Sequence, residues 1–220
     1  MLYLIAFLTA LVAYLIGSIS GAIIISKKVS GSDIRESGSK NAGTTNMLRV
    51  HGKKLAILTL LIDVIKGVIA VLLGILVDSV LKNYADGSLV GSMKYIAAVF
   101  AIIGHDFPIY FGFKGGKGVA TSIGVALVLD WKVGLIVMVA SLAIMAVTRY
   151  VSLGSVIGAI IYPCIVAAFM LGDGEFKVSY LICSIIIGLL IILKHKSNIE
   201  RLKNGTENKL FEKKGEMVCR

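Results

Sequence analysis

The stretch LAILTLLIDVIKGVIAVLLGILV, residues 55–77, decides the class of fold to which this chain belongs. An α-helix needs about 20 predominantly apolar residues to cross the hydrocarbon core of a bilayer. Two ionisable side chains interrupt this stretch, Asp63 and Lys66, which lie three residues apart. We therefore predict that residues 55–77 form a membrane-spanning helix.

The rest of the chain has the same apolar character. Hydrophobic residues make up 57% of the 220 residues, charged residues only 16%, and the mean hydropathy is +0.89. Soluble domains usually contain about 45–50% apolar and about 25% charged residues. The apolar N-terminus has no basic segment before it, so we expect a retained first helix rather than a cleaved signal peptide. The composition indicates an integral membrane protein.

Six further apolar windows have the composition of membrane spans. They lie at 2–26, 93–111, 119–130, 133–148, 153–171 and 178–194. The two short windows in the middle are separated by Asp130-Trp131-Lys132, which is typical of a turn at the membrane surface. A single re-entrant hairpin is the alternative there. We predict an all-α integral membrane protein, one domain over residues 1–220, with about seven transmembrane helices.

The basic residues predict the orientation of these helices. Eighteen of the 23 lysines and arginines lie on one side of the predicted membrane. They occupy the loops at about 27–54, 112–118 and 149–152, and the tail 195–220 with Lys194 before it. Four lie on the other side, in plain connectors such as 78–88 and 172–177. Because short cytoplasmic loops carry the excess of positive charge, we expect the N-terminus outside and the C-terminus in the cytoplasm.

The same distribution disfavours two classes of function. The net charge of +10 is accounted for by cytoplasmic loops, so we expect no nucleic-acid partner. The three cysteines, Cys164, Cys183 and Cys219, have no CxxC pairing and no metal-ligand spacing. We expect buried or free thiols, no metal site and no cofactor.

The first polar cluster is RESGSKNAGTTNMLRVHGKK, residues 35–54. Small hydroxyl and amide side chains beside glycine leave backbone N–H groups open, an arrangement that binds anions where a helix begins. The candidates are Ser39, Asn41, Thr45 and Asn46. Arg49 can add a bidentate contact to a phosphate. The alternative is an ordinary hydrophilic loop whose polar side chains cap helices.

The second cluster is GHDFPIYFGFKGGKGVAT, residues 104–121. Gly115, Gly116, Lys117 and Gly118 precede an apolar helix, so bare N–H groups, a helix N-terminus and an ammonium coincide. These groups predict a phosphate or other oxyanion as ligand. Glycine rather than serine or threonine follows the lysine, and no strand precedes the loop, which argues against ATP hydrolysis. His105 is a further ligand candidate, or merely shapes the end of its helix.

Two weaker clusters lie on the same side of the membrane. In TRYVSLGS, residues 148–155, Ser152 and Ser155 flank a short turn. A helix cap with a snorkelling arginine is the alternative there. In KHKSNIERLKNGTE, residues 194–207, His195 and Asn198 share a helix face if the segment is helical. A polar tail without function is the alternative.

Asp63 and Lys66 form a fifth polar feature, inside the predicted span 55–77. Ionisable groups within a span are costly, so they are candidates for function. Their i, i+3 spacing lets them pair on one face of the helix. We favour the interpretation that they form a structural ion pair.

The motifs GSKNAGTTNMLR, LLIDVIKG, GHDFPIYFGFKGGKGVAT, RYVSLGS and HKSNIERLKNGTE, in this order, resemble the bacterial membrane acyl-phosphate:glycerol-3-phosphate acyltransferases, the PlsY family. The resemblance spans nearly the whole chain. It implies seven transmembrane helices in the bacterial inner membrane, with the N-terminus outside and the active site facing the cytoplasm. It also implies transfer of an acyl group from acyl phosphate to the 1-hydroxyl of sn-glycerol 3-phosphate, which yields lysophosphatidic acid and phosphate for phospholipid synthesis.

The resemblance also implies the site. The expected catalytic residues are Ser39, Arg49, Lys117, Ser155, His195 and Asn198. As substrate-binding residues the resemblance implies Gly115, Gly116, Gly118 and Glu207, and the polar clusters add the candidates Asn41, Thr45, Asn46, His105 and Ser152. The expected partners are acyl phosphate, glycerol 3-phosphate and membrane lipids.

No Ser-His-Asp order or activated cysteine is visible, so we expect direct transfer without an acyl-enzyme. The rival function is a membrane transporter of a phosphorylated solute or lipid, for which ionisable residues deep in several spans would be typical.

Overall fold

A computed structural model describes residues 1–84, 89–173 and 177–210 of the chain, without the side chain of Asp173. The predicted connectors 78–88 and 172–177 lie partly outside the described residues. Cys219 and residues 211–220 of the predicted tail lie wholly outside them. Cys164 and Cys183 are free thiols, as expected.

Within the described ranges the regular structure is helical. The α-helices are α1 Leu2–Gly17, α2 Gly21–Ser30, α3 Thr44–His51, α4 Lys53–Leu81, α5 Met93–Asp106, α6 Val119–Leu129, α7 Trp131–Thr148, α8 Val151–Asp173, α9 Val178–Lys194 and α10 Lys196–Lys203. Short 3-10 turns lie at Ile34–Glu36 and Ile109–Phe111. Asp130 caps α7 by accepting hydrogen bonds from the backbone N–H groups of Lys132 and Val133.

Four helical segments are long and apolar enough to cross a membrane: Leu2–Ser30, Lys53–Leu81, Trp131–Thr148 and Val151–Gly172. A fifth is present if α9 and α10, which meet at a bend of 60°, form one broken span. The predicted spans 93–111 and 119–130 correspond to α5 and α6, which have only 14 and 11 residues. The all-helical membrane class is confirmed, whereas the count of seven spans and the orientation stay predictions.

The face that α4 turns outward is apolar, whereas its buried face carries the ionisable side chains. The exposed side chains follow a helical repeat along one stripe: Leu58, Leu61, Ile65, Ile69, Leu72 and Leu76. On the opposite side Asp63 and Lys66 are 1% and 4% exposed. A helix in lipid has this arrangement, because charged groups face the protein interior and aliphatic groups face the acyl chains.

The predicted first span, 2–26, is broken between Gly17 and Gly21, a break that the apolar pattern does not predict. Ser20 caps α2, and its side chain accepts a hydrogen bond from the Ile23 N–H at 3.5 Å. A break inside a membrane helix frees backbone carbonyls that need new donors. Here the Ile19 carbonyl accepts a hydrogen bond from Lys66 Nζ at 2.6 Å.

Glycines let the helices approach closely around this point. An added methyl group at Gly17 of α1 would overlap the Ala101 carbonyl of α5, and one at Gly104 of α5 would overlap the Tyr14 carbonyl of α1. Small residues at such crossings allow backbones to pack directly in a membrane protein. The close packing of α1, α4 and α5 brings the Lys66 side chain to the Ile19 carbonyl and to His105 near the end of α5.

Candidate active site

Asn46, at the start of α3, holds the loop between α2 and α3 in shape. It is fully buried, and its amide N–H groups donate to the carbonyls of Ile34, Ser37 and Asn41, each at 3.0 Å. Its Oδ1 accepts the Ser39 N–H at 2.8 Å. All polar atoms of the side chain are therefore engaged within the loop. The predicted ligand Asn46 acts here as a structural clamp that positions its neighbours.

The predicted site residues near this clamp differ in accessibility. Asn41 lines the polar cavity described below. Ser39 and Arg49 are exposed, and Thr45 is half-buried. Arg49 Nη2 lies 3.4 Å from the Asn208 carbonyl of the tail, which it approaches as a weak donor.

The second loop, residues 112–118, is here called the glycine loop, and it is tied to the end of α5. The Gly116 N–H donates to the His105 carbonyl at 3.1 Å, and the Gly115 N–H to the Asp106 carbonyl at 3.3 Å. Arg35 Nη1 donates to the Phe111 and Lys114 carbonyls at 2.7 and 2.8 Å, which joins the two predicted cytoplasmic loops.

The glycine loop ends at Gly118, which begins α6 with a φ of +74°. A positive φ is strained for most residues with a side chain, and an added methyl group would also lie 2.9 Å from Ile102 Cγ2, so glycine is favoured there.

Lys117 extends from the glycine loop to Asn198 of α10, and its ammonium donates to Asn198 Oδ1. Burial lowers the pKa of Lys117 to about 8, and the attraction of Glu207 opposes this shift only in part. Arg201, Arg49 and Lys194 are near enough to lower the pKa further. Several positive groups thus converge on one partly buried place, as an oxyanion site requires.

Residues 206–210, which follow α10, fold back against α8 and α10. The sequence did not predict this arrangement. Glu207 Oε1 accepts hydrogen bonds from Ser152 Oγ at 2.8 Å and Asn198 Nδ2 at 2.7 Å. Glu207 Oε2 accepts from Arg201 Nε at 2.7 Å. Burial raises the pKa of Glu207, but the three donors outweigh burial and the pKa falls below its usual value. Glu207 is therefore an anion that anchors α8 to α10.

His195 lies at the bend between α9 and α10 and is 4% exposed. Its Nδ1 lies 2.8 Å from the Ile191 carbonyl. Because a carbonyl can only accept, Nδ1 carries the proton and Nε2 presents a bare lone pair. Burial lowers the pKa of His195 to about 4, so the ring is neutral around pH 7. Such a ring accepts hydrogen bonds readily, but it is a weak base.

A polar cavity of about 540 Å³ lies beside the glycine loop and the start of α10. It is lined by Asn41, Gly115, Gly116, Lys117, Leu193, Lys194, Lys196, Ser197 and Glu200. The first four were predicted site residues. Lys194 was not, although it directly precedes His195 in the quoted tail motif. Lys194 Nζ donates to the Asp106 carbonyl at 2.9 Å, which ties the start of the tail to the end of α5.

Ser155 does not line the polar cavity. It is 5% exposed and lines a narrow apolar crevice between α6, α7 and α8, together with side chains such as Ile123, Met138 and Tyr162. Its hydroxyl donates to the Val151 carbonyl of its own helix at 2.9 Å. The predicted catalytic Ser155 thus lies against apolar side chains, whereas Ser152, one turn earlier, donates a hydrogen bond to Glu207.

A buried charged cluster lies beneath the glycine loop. Lys66 Nζ is 2.9 Å from Asp63 Oδ1, which confirms the predicted ion pair. His105, which no sequence pattern links to this pair, joins it, with Nδ1 at 2.8 Å from Lys66 Nζ and 3.5 Å from Asp63 Oδ1. A methyl group at Gly116 would overlap His105 Nε2, so the imidazole lies directly under the loop.

Comparisons with known proteins agree on one family. A family model described as glycerol-3-phosphate acyltransferase matches residues 7–205. A glycerol-3-phosphate acyltransferase from Halalkalibacterium halodurans is 44% identical over 202 residues, which cover 92% of this chain and 94% of that protein. One from Clostridioides difficile is 40% identical over 205 residues, which cover 93% and 95%.

Solved structures show the same likeness. A crystal structure of PlsY (YgiH), an integral membrane glycerol 3-phosphate acyltransferase in its glycerol 3-phosphate form, superposes with a TM-score of 0.80. It is 36% identical and covers 93% of this chain and 95% of its own. The lysophosphatidic acid form gives a TM-score of 0.77, with 34% identity over the same shares of the two chains. This chain therefore belongs to the family of integral membrane glycerol-3-phosphate acyltransferases.

Proposed function

We propose that this protein transfers an acyl group from acyl phosphate to the 1-hydroxyl of sn-glycerol 3-phosphate, in the bacterial inner membrane. The observation that carries the proposal is the polar cavity into which Lys117 projects, with neutral His195 and the anchored Asn198 nearby. Both substrates are phosphates, and the cavity is lined by three lysines, Lys117, Lys194 and Lys196. Its volume suits a small polar ligand.

The chemical step that we propose is a direct displacement. The 1-hydroxyl oxygen of glycerol 3-phosphate attacks the acyl carbonyl carbon and forms the ester bond. The bond from that carbon to the phosphate oxygen breaks, and its electron pair leaves with the phosphate. The hydroxyl proton passes to the leaving phosphate, so the products are lysophosphatidic acid and inorganic phosphate. Because acyl phosphate is already activated, the protein contributes orientation and charge stabilisation.

The environment of His195 supports phosphate rather than imidazole as the proton acceptor. With Nδ1–H held by the Ile191 carbonyl, Nε2 can accept a hydrogen bond from the substrate hydroxyl. A pKa of about 4 makes that nitrogen a poor base around pH 7. In this mechanism His195 orients the hydroxyl, and the departing phosphate removes the proton.

The decisive experiment is phosphate release by the purified protein supplied with palmitoyl phosphate and glycerol 3-phosphate. Release of one phosphate for each lysophosphatidic acid formed supports the proposal. Absence of release, or equal activity with acyl-CoA as the donor, contradicts the assigned donor. An acylated side chain trapped during turnover would contradict direct transfer.

We propose further that the whole chain is one domain of seven membrane-crossing segments, with the N-terminus outside and the polar cavity facing the cytoplasm. The excess of basic residues in the loops that border the cavity supports this orientation. Glycerol 3-phosphate is charged and does not cross a bilayer unaided. Sealed inside-out vesicles should therefore use externally added glycerol 3-phosphate, and sealed right-side-out vesicles should not. The reverse pattern would overturn the orientation.

The depressed pKa of Lys117 predicts an alkaline limb in the pH profile. The ammonium is present below its pKa and is lost as the pH rises through about 8, so we expect kcat/KM for glycerol 3-phosphate to fall above that value. Lys117→Arg keeps its charge throughout this range. The limb should therefore move to higher pH in Lys117→Arg, whatever rate remains. An unchanged limb in the variant would assign the titration to another group.

The proposed role of His195 predicts that its replacement lowers kcat without changing the shape of the pH–rate profile. We expect His195→Ala to lower kcat by about a hundredfold, because the hydroxyl loses its acceptor, while the profile from about pH 6 to about pH 8 keeps its shape. If His195 were the general base, solvent hydroxide would have to replace it in the variant. The rate would then climb by about tenfold per pH unit, and that result would contradict our assignment.

A further inference from the structure

Lys66 lies at the centre of the buried cluster beneath the glycine loop, and its ammonium contacts three acceptor atoms. Its side chain is 4% exposed, and Nζ lies 2.9 Å from Asp63 Oδ1, 2.6 Å from the Ile19 carbonyl and 2.8 Å from His105 Nδ1. A lysine ammonium has three N–H donors and no acceptor. Two of these donors are used in hydrogen bonds, to the Ile19 carbonyl and to His105 Nδ1, and the adjacent negative charge of Asp63 compensates the buried positive charge.

This arrangement decides which nitrogen of His105 carries the proton. Because the ammonium can only donate, Nδ1 of His105 must accept, and the proton of the neutral ring then resides on Nε2. The direct distance from Nδ1 to Asp63 Oδ1 is 3.5 Å, longer than an ordinary hydrogen bond of this kind. The hydrogen bond from Lys66 Nζ to His105 Nδ1 is shorter and outweighs the direct contact between His105 and Asp63.

The Nε2 atom is the ring atom of His105 that lies nearest to Gly116 of the glycine loop. It occupies the space where a side chain at Gly116 would begin, and Gly116 lines the polar cavity. Among the described residues, Nε2 has no hydrogen-bond partner within the protein. This N–H is therefore available to donate to a ligand or to water.

We propose that Lys66 is a positioning residue that fixes His105 as the Nε2–H tautomer, so that His105 donates a hydrogen bond to a substrate phosphate held at the glycine loop. The inference rests on the proposed function for the identity of that phosphate. Lys66 itself does not touch the substrate. It acts through His105, and Asp63 serves to hold the lysine charged in an apolar surrounding.

The tautomer can be observed directly, without turnover. In protein labelled with ¹⁵N-histidine and reconstituted in lipid, the ring nitrogens of His105 are distinguished from those of His51 and His195 by single replacements. We expect a protonated Nε2 and a bare Nδ1 at His105. In Lys66→Met the proton should move to Nδ1, where Asp63 can accept it. A native His105 protonated at Nδ1 would overturn the proposal.

Binding tests the second half of the proposal. Titration with glycerol 3-phosphate, without acyl phosphate, should shift the Nε2 resonance of His105 in the native protein and not in Lys66→Met. No shift in the native protein at saturating glycerol 3-phosphate would overturn the role of His105 as a donor. If the shift occurs but no acyl transfer follows with acyl phosphate, the proposed function fails and this inference stands.

Kinetics give an independent readout. We expect Lys66→Met to raise KM for glycerol 3-phosphate by about tenfold to a hundredfold with a much smaller change in kcat, because a hydrogen bond to a charged phosphate is lost. The matched control is Thr59→Val on the same helix. Thr59 is also fully buried, and its hydroxyl donates to the Leu55 carbonyl at 2.9 Å, away from the cluster. Neither constant should change in Thr59→Val.

A second pair of variants keeps the proposal testable if Lys66→Met does not fold. The side-chain amide of glutamine can place an N–H near the position of Nε2, whereas that of asparagine is too short. KM for glycerol 3-phosphate should therefore be about tenfold higher in His105→Asn than in His105→Gln. Equal KM values in the two variants would contradict the requirement for a donor at that position.

Discussion

Replacing Lys117 by alanine is expected to lower kcat/KM for glycerol 3-phosphate by roughly a hundredfold to a thousandfold, the usual cost of removing one donor from an oxyanion site. The expectation rests on the position of the ammonium, which lines the polar cavity, contacts Asn198 and is partly desolvated. In such a surrounding a charge interacts with phosphate far more strongly than it does in water. Phosphate release under steady-state conditions measures the effect.

Lys114→Ala is the matched control for this loss. Lys114 lies on the same loop three residues earlier, and its side chain is exposed. Exposed charges contribute little, so Lys114→Ala should change kcat/KM by less than about threefold. The fold should survive Lys117→Ala, since Asn198 keeps its hydrogen bond to Glu207. Equal losses in the two variants, without a change in thermal unfolding, would show that only the overall positive potential matters.

The second large effect is expected from Gly116→Ala. A methyl group at this position would overlap His105 Nε2 and lie 2.8 Å from the Ala42 carbonyl. His105 cannot move aside easily, because Lys66 holds its ring and its carbonyl accepts the Gly116 N–H at 3.1 Å. The loop itself must therefore shift, and a displacement of about 1 Å at Lys117 can lower kcat by about a hundredfold.

Gly172→Ala serves as the control for an added methyl group. Gly172 lies in α8, and nothing stands within 4 Å of the position that a methyl group would take. We expect it to leave both activity and thermal stability unchanged. If Gly116→Ala retains full activity, the glycine loop is more compliant than the packing around His105 indicates, and its rigidity does not position Lys117.

The membrane class and the interacting segments could be predicted from the sequence because they depend on local properties. Continuous apolar windows specify helices in a bilayer, and six of the seven predicted windows correspond to one helix each. The pairing of Asp63 with Lys66 follows from their spacing on a helix, and the structure confirms it at 2.9 Å. The tail motif was also predicted to present His195 and Asn198 together, and both are buried at the bend where α10 begins.

The tertiary structure decided what depends on contacts between distant segments. His105 joins Lys66 across 39 residues, and Glu207 joins Ser152 across 55. No local pattern marks such pairs, since they arise when α1, α4 and α5 pack closely and when the tail folds back over α8. The same packing engages Asn46 within its own loop and turns Ser155 toward an apolar crevice.

The sequence by itself determined which residues carry charge and hydrogen bonds, and that they cluster in a few segments. The tertiary structure alone decided their partners and their surroundings. Burial lowers the pKa of Lys117 to about 8 and that of His195 to about 4, although both are ordinary side chains in the sequence. The physical reason is that desolvation and hydrogen bonding depend on the surroundings of a group in space, which only the folded chain supplies.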